Sequence, residues 1–221
     1  MLIKETIQQI EQASLPEALA IISRLFPAET VFSSSLGQED QVITDAVFKN
    51  GVPVKIFTID TGRLYNEVYE LLDRTTARYK QPIQVYFPEA ADVEAFVTTK
   101  GINSFYESVE NRKECCHIRK VKPLNRALKG AKVWITGLRS EQSTNRNTMK
   151  MIEWDESRQL YKFNPLINWS YADVLEYIEK HNVPYNPLHD KEFISIGCAP
   201  CTRAIEPGED PRAGRWWWET S

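Results

Sequence analysis

The sequence has 221 residues, 42% hydrophobic and 11% aromatic, with 27 Lys+Arg against 30 Asp+Glu for a formal net charge of −3. That length suits one domain, at roughly 100–200 residues per domain, and the apolar content is too high for a disordered chain. No run approaches the roughly 18 apolar residues of a membrane span, and Met1-Leu2-Ile3-Lys4-Glu5-Thr6 lacks the layout of a secretory signal. The chain therefore reads as cytoplasmic, with no membrane partner. In that compartment the four cysteines read as metal ligands or redox groups before structural disulfides.

Helices are expected from about Leu2 to Glu11 and from Ser14 onward, where Ser14-Leu15-Pro16-Glu17 forms a capping box with proline in the first turn. The pattern then alternates. A strand at Thr30–Ser33 is followed by a helix at Gln38–Lys49, and a strand at Val54–Ile59 by a helix at about Tyr65–Tyr79. A strand at Ile83–Phe87 precedes a helix at Asp92–Lys100. After a basic helix comes a strand at Lys132–Thr136, then a hairpin of Met149–Trp154 with Leu160–Phe163. Ser170 caps a helix to about Glu179. Strands spaced by helices of this length give right-handed βαβ units, hence an α/β fold with a mostly parallel sheet and flanking helices. Ligands in such sheets sit at the carboxyl ends of strands. The expectation is a single domain over residues 1–221, ending in an irregular Pro/Gly/Trp-rich segment at about 182–221.

Charge is unevenly spread. Between Asn111 and Lys150 stand eleven basic residues and two acidic ones, a local balance of +9 in a chain of −3. This points to a compact anionic ligand rather than a nucleic-acid track, with a solvated helix face as the plainer alternative.

The cysteines carry the strongest signal: an adjacent pair, Cys115-Cys116, and a C-x-x-C, Cys198-Ala199-Pro200-Cys201, with 81 residues between. A zinc ion needs its sulfurs about 2.3 Å away, hence crowded together. Neighbouring residues on a helix diverge by about 100°, which makes that awkward for the adjacent pair. A 4Fe–4S cluster takes four thiolates at more widely spaced corners, so geometry favours the cluster over zinc. Arg119 and Lys120 each stand four residues after one of the pair, on its helical face; cations there would stabilise an anionic centre.

Ser33-Ser34-Ser35-Leu36-Gly37-Gln38-Glu39-Asp40 lies at a strand-to-helix junction, where small residues let backbone N–H groups approach an anion. Asp60-Thr61-Gly62-Arg63 is a second polar turn at the next strand end. Arg203, Arg212 and Arg215 lie in a Gly/Pro-rich stretch closing with Trp216-Trp217-Trp218, and guanidinium forks suit sulfate and phosphate oxygens. Three consecutive tryptophans cannot all face one core, which leaves a homo-oligomer open.

Together these residues resemble the adenylyl-sulfate reductase family, the iron–sulfur branch of the assimilatory sulfonucleotide reductases. The similarity runs from Val31 onward. It extends through Ile135-Thr136-Gly137-Leu138-Arg139-Ser140-Glu141-Gln142-Ser143, Asn186-Pro187-Leu188-His189, Ile196-Gly197-Cys198-Ala199-Pro200-Cys201-Thr202 and Gly214-Arg215-Trp216-Trp217-Trp218. The resemblance implies a PP-loop adenine-nucleotide-binding fold and a 4Fe–4S cluster on Cys115, Cys116, Cys198 and Cys201. It also implies reduction of adenosine 5′-phosphosulfate to sulfite and AMP in sulfate assimilation. By position it assigns Ser33, Ser34, Ser35, Gly37, Asp60, Thr61 and Gly62 to the nucleotide pocket, with Gly137 and Arg139 at its border. Lys120 falls between cluster and substrate, and Arg146, Arg212 and Arg215 fall on the phosphosulfate. Thioredoxin or glutaredoxin is the implied electron donor.

One departure stands out. Family members carry a nucleophilic cysteine in a terminal Glu-Cys-Gly-Leu-His segment shortly after the tryptophans, and these 221 residues do not contain it. The expectation is a chain that binds substrate and cluster without turning over. The rival readings are a tRNA-thiolating PP-loop enzyme, whose paired-glycine loop is missing here, and a non-enzymatic cluster-bearing sensor. Within the family, the 3′-phosphorylated nucleotide is the alternative substrate.

Overall fold

A computed structural model describes residues 2–142 and 149–219. In chain order the elements are α1 (Lys4–Gln12), α2 (Leu15–Leu25), β1 (Thr30–Ser33), α3 (Gln38–Lys49), β2 (Lys55–Ile59), α4 (Asn66–Tyr79), β3 (Gln84–Tyr86) and α5 (Ala90–Lys100). They continue with α6 (Val109–Cys116), α7 (Lys122–Ala127), β4 (Val133–Ile135), β5 (Ile152–Asp155), β6 (Leu160–Phe163) and α8 (Tyr171–His181). The sheet order is β3-β2-β1-β4-β6-β5. β1 pairs in parallel with β2 and β4, β4 in parallel with β6, and the β5–β6 hairpin is antiparallel. The expected mostly parallel α/β sheet is therefore present. Sequence did not foretell that the hairpin would join it through β6.

Two compact units make up the chain. The first comprises Met1–Phe57, Leu71–Gln84 and Gly130–Tyr185; the second comprises Thr58–Glu70, Val85–Lys129 and Asn186–Ser221. In the first, Phe32, Ile135 and Phe163 stand in one register row across β1, β4 and β6 and are fully buried. Leu19 and Ile22 of α2, Val42 and Ile43 of α3, and Val174 and Ile178 of α8 belong to the same core. Each such side chain contributes about 1.5–3 kcal/mol on burial. Helix α3 is buried almost all round, so its polar residues need partners inside the protein. Gln41 Nε2 donates to Thr75 Oγ1 (2.9 Å) and to the Pro184 carbonyl (2.8 Å), and Asp45 accepts from the hydroxyls of Tyr79 and Tyr177.

The second unit has its own core of Phe96, Phe105, Cys115, Ile118 and Cys201, against which Val93, Cys198, Trp216 and Trp218 pack. The basic segment expected as one helix is broken in character. After α6 the backbone widens into a π-helical turn over His117–Val121, with Lys122 N–H donating to the His117 carbonyl, before α7 begins. Pro123, in the first turn of α7, is the cause. It cannot donate to the carbonyl four residues back, and its ring would crowd that carbonyl. The chain end is folded back by an antiparallel bridge between Thr202 and Arg215.

Candidate active site

The second unit gathers the cysteines. Cys115 and Cys116 end α6, and Cys198–Cys201 forms a short 3₁₀ turn closed by Cys201 N–H donating to the Cys198 carbonyl (2.9 Å). All four thiols are unpaired by disulfides. Burial first, and then the neighbouring sulfurs of the set, push the Cys115 and Cys116 thiols up and take Cys201 to about 12. Sulfurs that oppose one another's ionisation form a site suited to a positive centre. Among the described residues no group of His, Cys, Asp or Glu is arranged to hold a single metal ion.

Cations surround the thiols as the helical spacing foresaw. Arg119 donates to Cys115, and Lys120 acts on Cys116, as does Arg112 from one turn earlier. Arg119 is buried, and its guanidinium also donates to the Thr61 carbonyl (2.8 Å). Lys120 keeps solvent contact along its length. Its ammonium is nevertheless held below the ordinary lysine value, chiefly by desolvation, with Arg215 and Arg212 adding like-charge repulsion. Other basic residues of the segment are ordinary surface partners: Lys122 pairs with Asp92, and Arg126 with Glu89.

The Asp60 turn belongs beside the cysteine loop. Thr61 Oγ1 lies 3.2 Å from Cys198 Sγ, and Ala199 N–H donates to the Arg63 carbonyl (2.8 Å). Asp60 Oδ1 accepts from Gly62 N–H (2.7 Å) and from the Tyr69 hydroxyl (3.0 Å). Arg215 lies flat on Gly197, where a Cβ would stand 2.3 Å from Nη2. Among the described residues its buried Nε has no partner, and Nη1 stands 3.5 Å from Ser195 Oγ. Arg203, by contrast, is spent on Glu209 through two bonds of 2.8 and 2.9 Å. Arg212 donates its backbone N–H to Asp210. Arg146 lies outside the described residues.

In the first unit the serine turn differs from expectation. Four of its N–H groups are already used: Ser34 on the Phe57 carbonyl (2.8 Å), Ser35 on Asp40 Oδ2 (2.5 Å), Leu36 on Ser34 Oγ (3.1 Å) and Gly37 on Ser35 Oγ (3.4 Å). Ser35 Oγ donates to the same Asp40 oxygen, and Ser33 Oγ accepts from the Trp134 indole. A carboxylate thus fills the cradle drawn for an anion, because Asp40, in the first turn of α3, reaches back to the turn. Buried Leu36 has φ +61, a costly conformation for a branched side chain of the kind that collects at functional sites.

Gly137, after β4, is required there by Asp40: a Cβ would stand 2.1 Å from Oδ1. Arg139 is buried against Glu39 (2.9 Å) and Glu141 (3.0 Å), so its charge is balanced within the protein. The motif around the serine turn contains Glu39 and Asp40, but sequence alone gave them no roles. It also gave none to Arg112, whose spacing from Cys116 was the available signal. Nor did it point to Asn164, which is fully buried and accepts from Thr136 Oγ1 (2.6 Å).

A parallel sheet with a strand-end serine turn, together with four gathered cysteines among cations, defines a nucleotide-type α/β protein with a thiol-rich centre. The phosphoadenosine phosphosulfate reductase domain matches residues 29–204, and the chain belongs to that family. Adenosine 5′-phosphosulfate reductase of Burkholderia cepacia is 52% identical over 189 residues, covering 86% of this chain and 76% of that protein. The protein of the same name from Rhizobium meliloti (strain 1021) is 50% identical over 211 residues, covering 96% and 79%. Among solved structures, phosphoadenylyl-sulfate reductase from Candida auris, in a phosphate complex, is similar with a TM-score of 0.77 at 28% identity, over 93% of this chain and 98% of that one. Yeast FAD synthetase in complex with FAD, at 16% identity and a TM-score of 0.59 over 92% and 70%, shares the fold alone.

Proposed function

We propose that this chain is an oxidoreductase acting on adenosine 5′-phosphosulfate in sulfate assimilation, yielding sulfite and AMP. The observation that carries the reading is the meeting of Cys115, Cys198 and Cys201 in one core, with Cys116 in electrostatic reach of Cys115 and Cys198, among Arg119, Lys120 and Arg215. The identities to two proteins named adenosine 5′-phosphosulfate reductase supply the substrate. Four cysteines supply the number of thiolates that a 4Fe–4S cluster takes, and the cluster is the centre we infer for them. Bound there, the cluster would supply an anionic, redox-capable centre beside the cations. A dithiol protein, thioredoxin or glutaredoxin, is the donor we infer, and free thiols support a cytoplasmic setting.

The chain's own groups supply binding and charge. Attack of a thiolate on the sulfur of a phosphosulfate forms an S–S bond as the S–O bond to AMP breaks, which leaves the negative charge on the AMP phosphate, and preorganised cations lower the energy of that departure. Arg215, whose buried Nε has no partner among the described residues, and Lys120, whose ammonium is held below its ordinary value, are the residues we assign to it. Arg119 is already committed to Thr61 and Cys115, so its role is to hold the turn and the cysteine pair together. Ser33–Ser35, Gly37, Gly137 and Arg139 are assigned to the nucleotide side.

Anaerobic purification followed by an absorption spectrum and iron and sulfide counts tests the centre. Saturable binding of adenosine 5′-phosphosulfate, read by calorimetry, tests the substrate. A colourless protein with one zinc, or saturable binding of tRNA with none of the sulfonucleotide, overturns the reading.

A further inference from the structure

Trp216 lies within cation–π range of two guanidinium groups, Arg112 at 4.5 Å and Arg215 at 5.1 Å from its ring centroid. It holds φ +49, a backbone state that bulky residues rarely accept. Its N–H donates to the Cys201 carbonyl (3.2 Å), its carbonyl accepts from Glu219 N–H (2.8 Å), and its indole packs on the cysteine core. Something must hold so strained a turn, and Arg112 does so. Its Nε and Nη2 donate to the two oxygens of Glu219 at 2.7 and 2.8 Å. The paired side chains are only 15% and 19% exposed. The other described ion pairs of this unit, at Lys100, Lys122, Arg126 and Arg203, leave every partner at least 32% exposed. A bidentate fork sheltered from water is the strong form of the interaction; exposed pairs contribute little.

We propose that Arg112 and Glu219 are a positioning pair: they seat Trp216 on the cysteine core and thereby fix Arg215 on Gly197, with its donors kept for the anionic ligand. The logic follows from what Arg215 lacks. Its guanidinium is placed by packing, on Gly197 and Trp216, with a single long contact to Ser195. A cation placed by packing depends on whatever holds the packing partner. That partner is strained and latched by a residue of the helix that ends in Cys115-Cys116. The role of Arg215 toward adenosine phosphosulfate rests on the function proposed above; the latch itself does not.

The test uses the anaerobically isolated full chain and its Glu219→Gln and Arg112→Lys variants, with Glu219→Asp as the conservative control. Hydrogen exchange of the 212–219 segment is read by mass spectrometry, and affinity for adenosine 5′-phosphosulfate by calorimetry. Glu219→Gln and Arg112→Lys should speed exchange in that segment and leave peptides of the first unit unchanged. Affinity should weaken about tenfold, as for one lost charge-assisted bond, and Glu219→Asp should recover part of both effects. Unchanged exchange in both variants overturns the latch. Faster exchange with affinity unchanged, where Arg215→Ala lowers it, overturns the positioning role. Failure of the parent chain to bind the sulfonucleotide defeats the function proposed above, while the exchange measurement still decides the latch.

Discussion

Asp40 and Gly137 approach each other so closely that a single methyl group on residue 137 would overlap the carboxylate at 2.1 Å. The same carboxylate takes both the N–H and the hydroxyl of Ser35. Gly137→Ala should therefore push on the serine turn through Asp40. The expected cost is about 1–3 kcal/mol, the usual range for overpacking a filled site. Denaturant unfolding reads it, and a variant as stable as its parent would show that Asp40 swings away freely.

The cysteine assignment makes a compositional prediction. Single Ser substitutions at Cys115, Cys116, Cys198 and Cys201 should each lower iron and sulfide per chain and bleach the visible absorption, because a cluster of this type takes four thiolates. Chelation of the parent's iron should lower its thermal midpoint, since burial leaves neutral thiols without a positive centre. Full colour in any one variant removes that cysteine from the set.

Two capping boxes give a pH dependence. Hydrogen bonds from Ser14 hold Glu17, and those from Ser170 hold Asp173, below the ordinary carboxylate range. A carboxylate depressed in the folded state stabilises above its unfolded pKa of about 4, and that stabilisation is lost as pH falls through the folded value. Ser14→Ala and Ser170→Ala should each lower the thermal midpoint at pH 7. The gap to the parent should narrow as pH drops below about 4. A gap constant from pH 7 to pH 3 would contradict the assignment.

The sequence holds four cysteines, the proposed centre takes all of them, and a ligating thiolate is a poor nucleophile. Incubation of the 221-residue chain with adenosine phosphosulfate should therefore leave no S-sulfonated cysteine. Intact-mass measurement checks this, and an adduct on any of Cys115, Cys116, Cys198 or Cys201 would free that residue from the centre.

How much of this was legible in the sequence depended on the range of the interaction. Strands β1 and β6 and helix α3 fall on the expected residues, because the alternation of strand and helix patterns is a local signal. The spacing of Arg119 and Lys120 from the cysteine pair was equally readable, since one helical turn fixes it. The π-helical turn was not read, although Pro123 is its local cause. Pairing of β6 with β4, the bond from Thr61 to Cys198 and the fork between Arg112 and Glu219 join residues far apart in the chain, and no periodicity announces them. The internal bonds of the serine turn went unread for a different reason. Its composition suits an anion, but composition does not say that the nearest anion is Asp40, five residues on.

That last arrangement has a bearing on inhibitors. A nucleotide mimic that relies on a polyphosphate tail nesting in the amides of Ser34, Ser35, Leu36 and Gly37 would find those four already bonded within the protein. Ligands that make no demand on these amides should bind in preference to those that do.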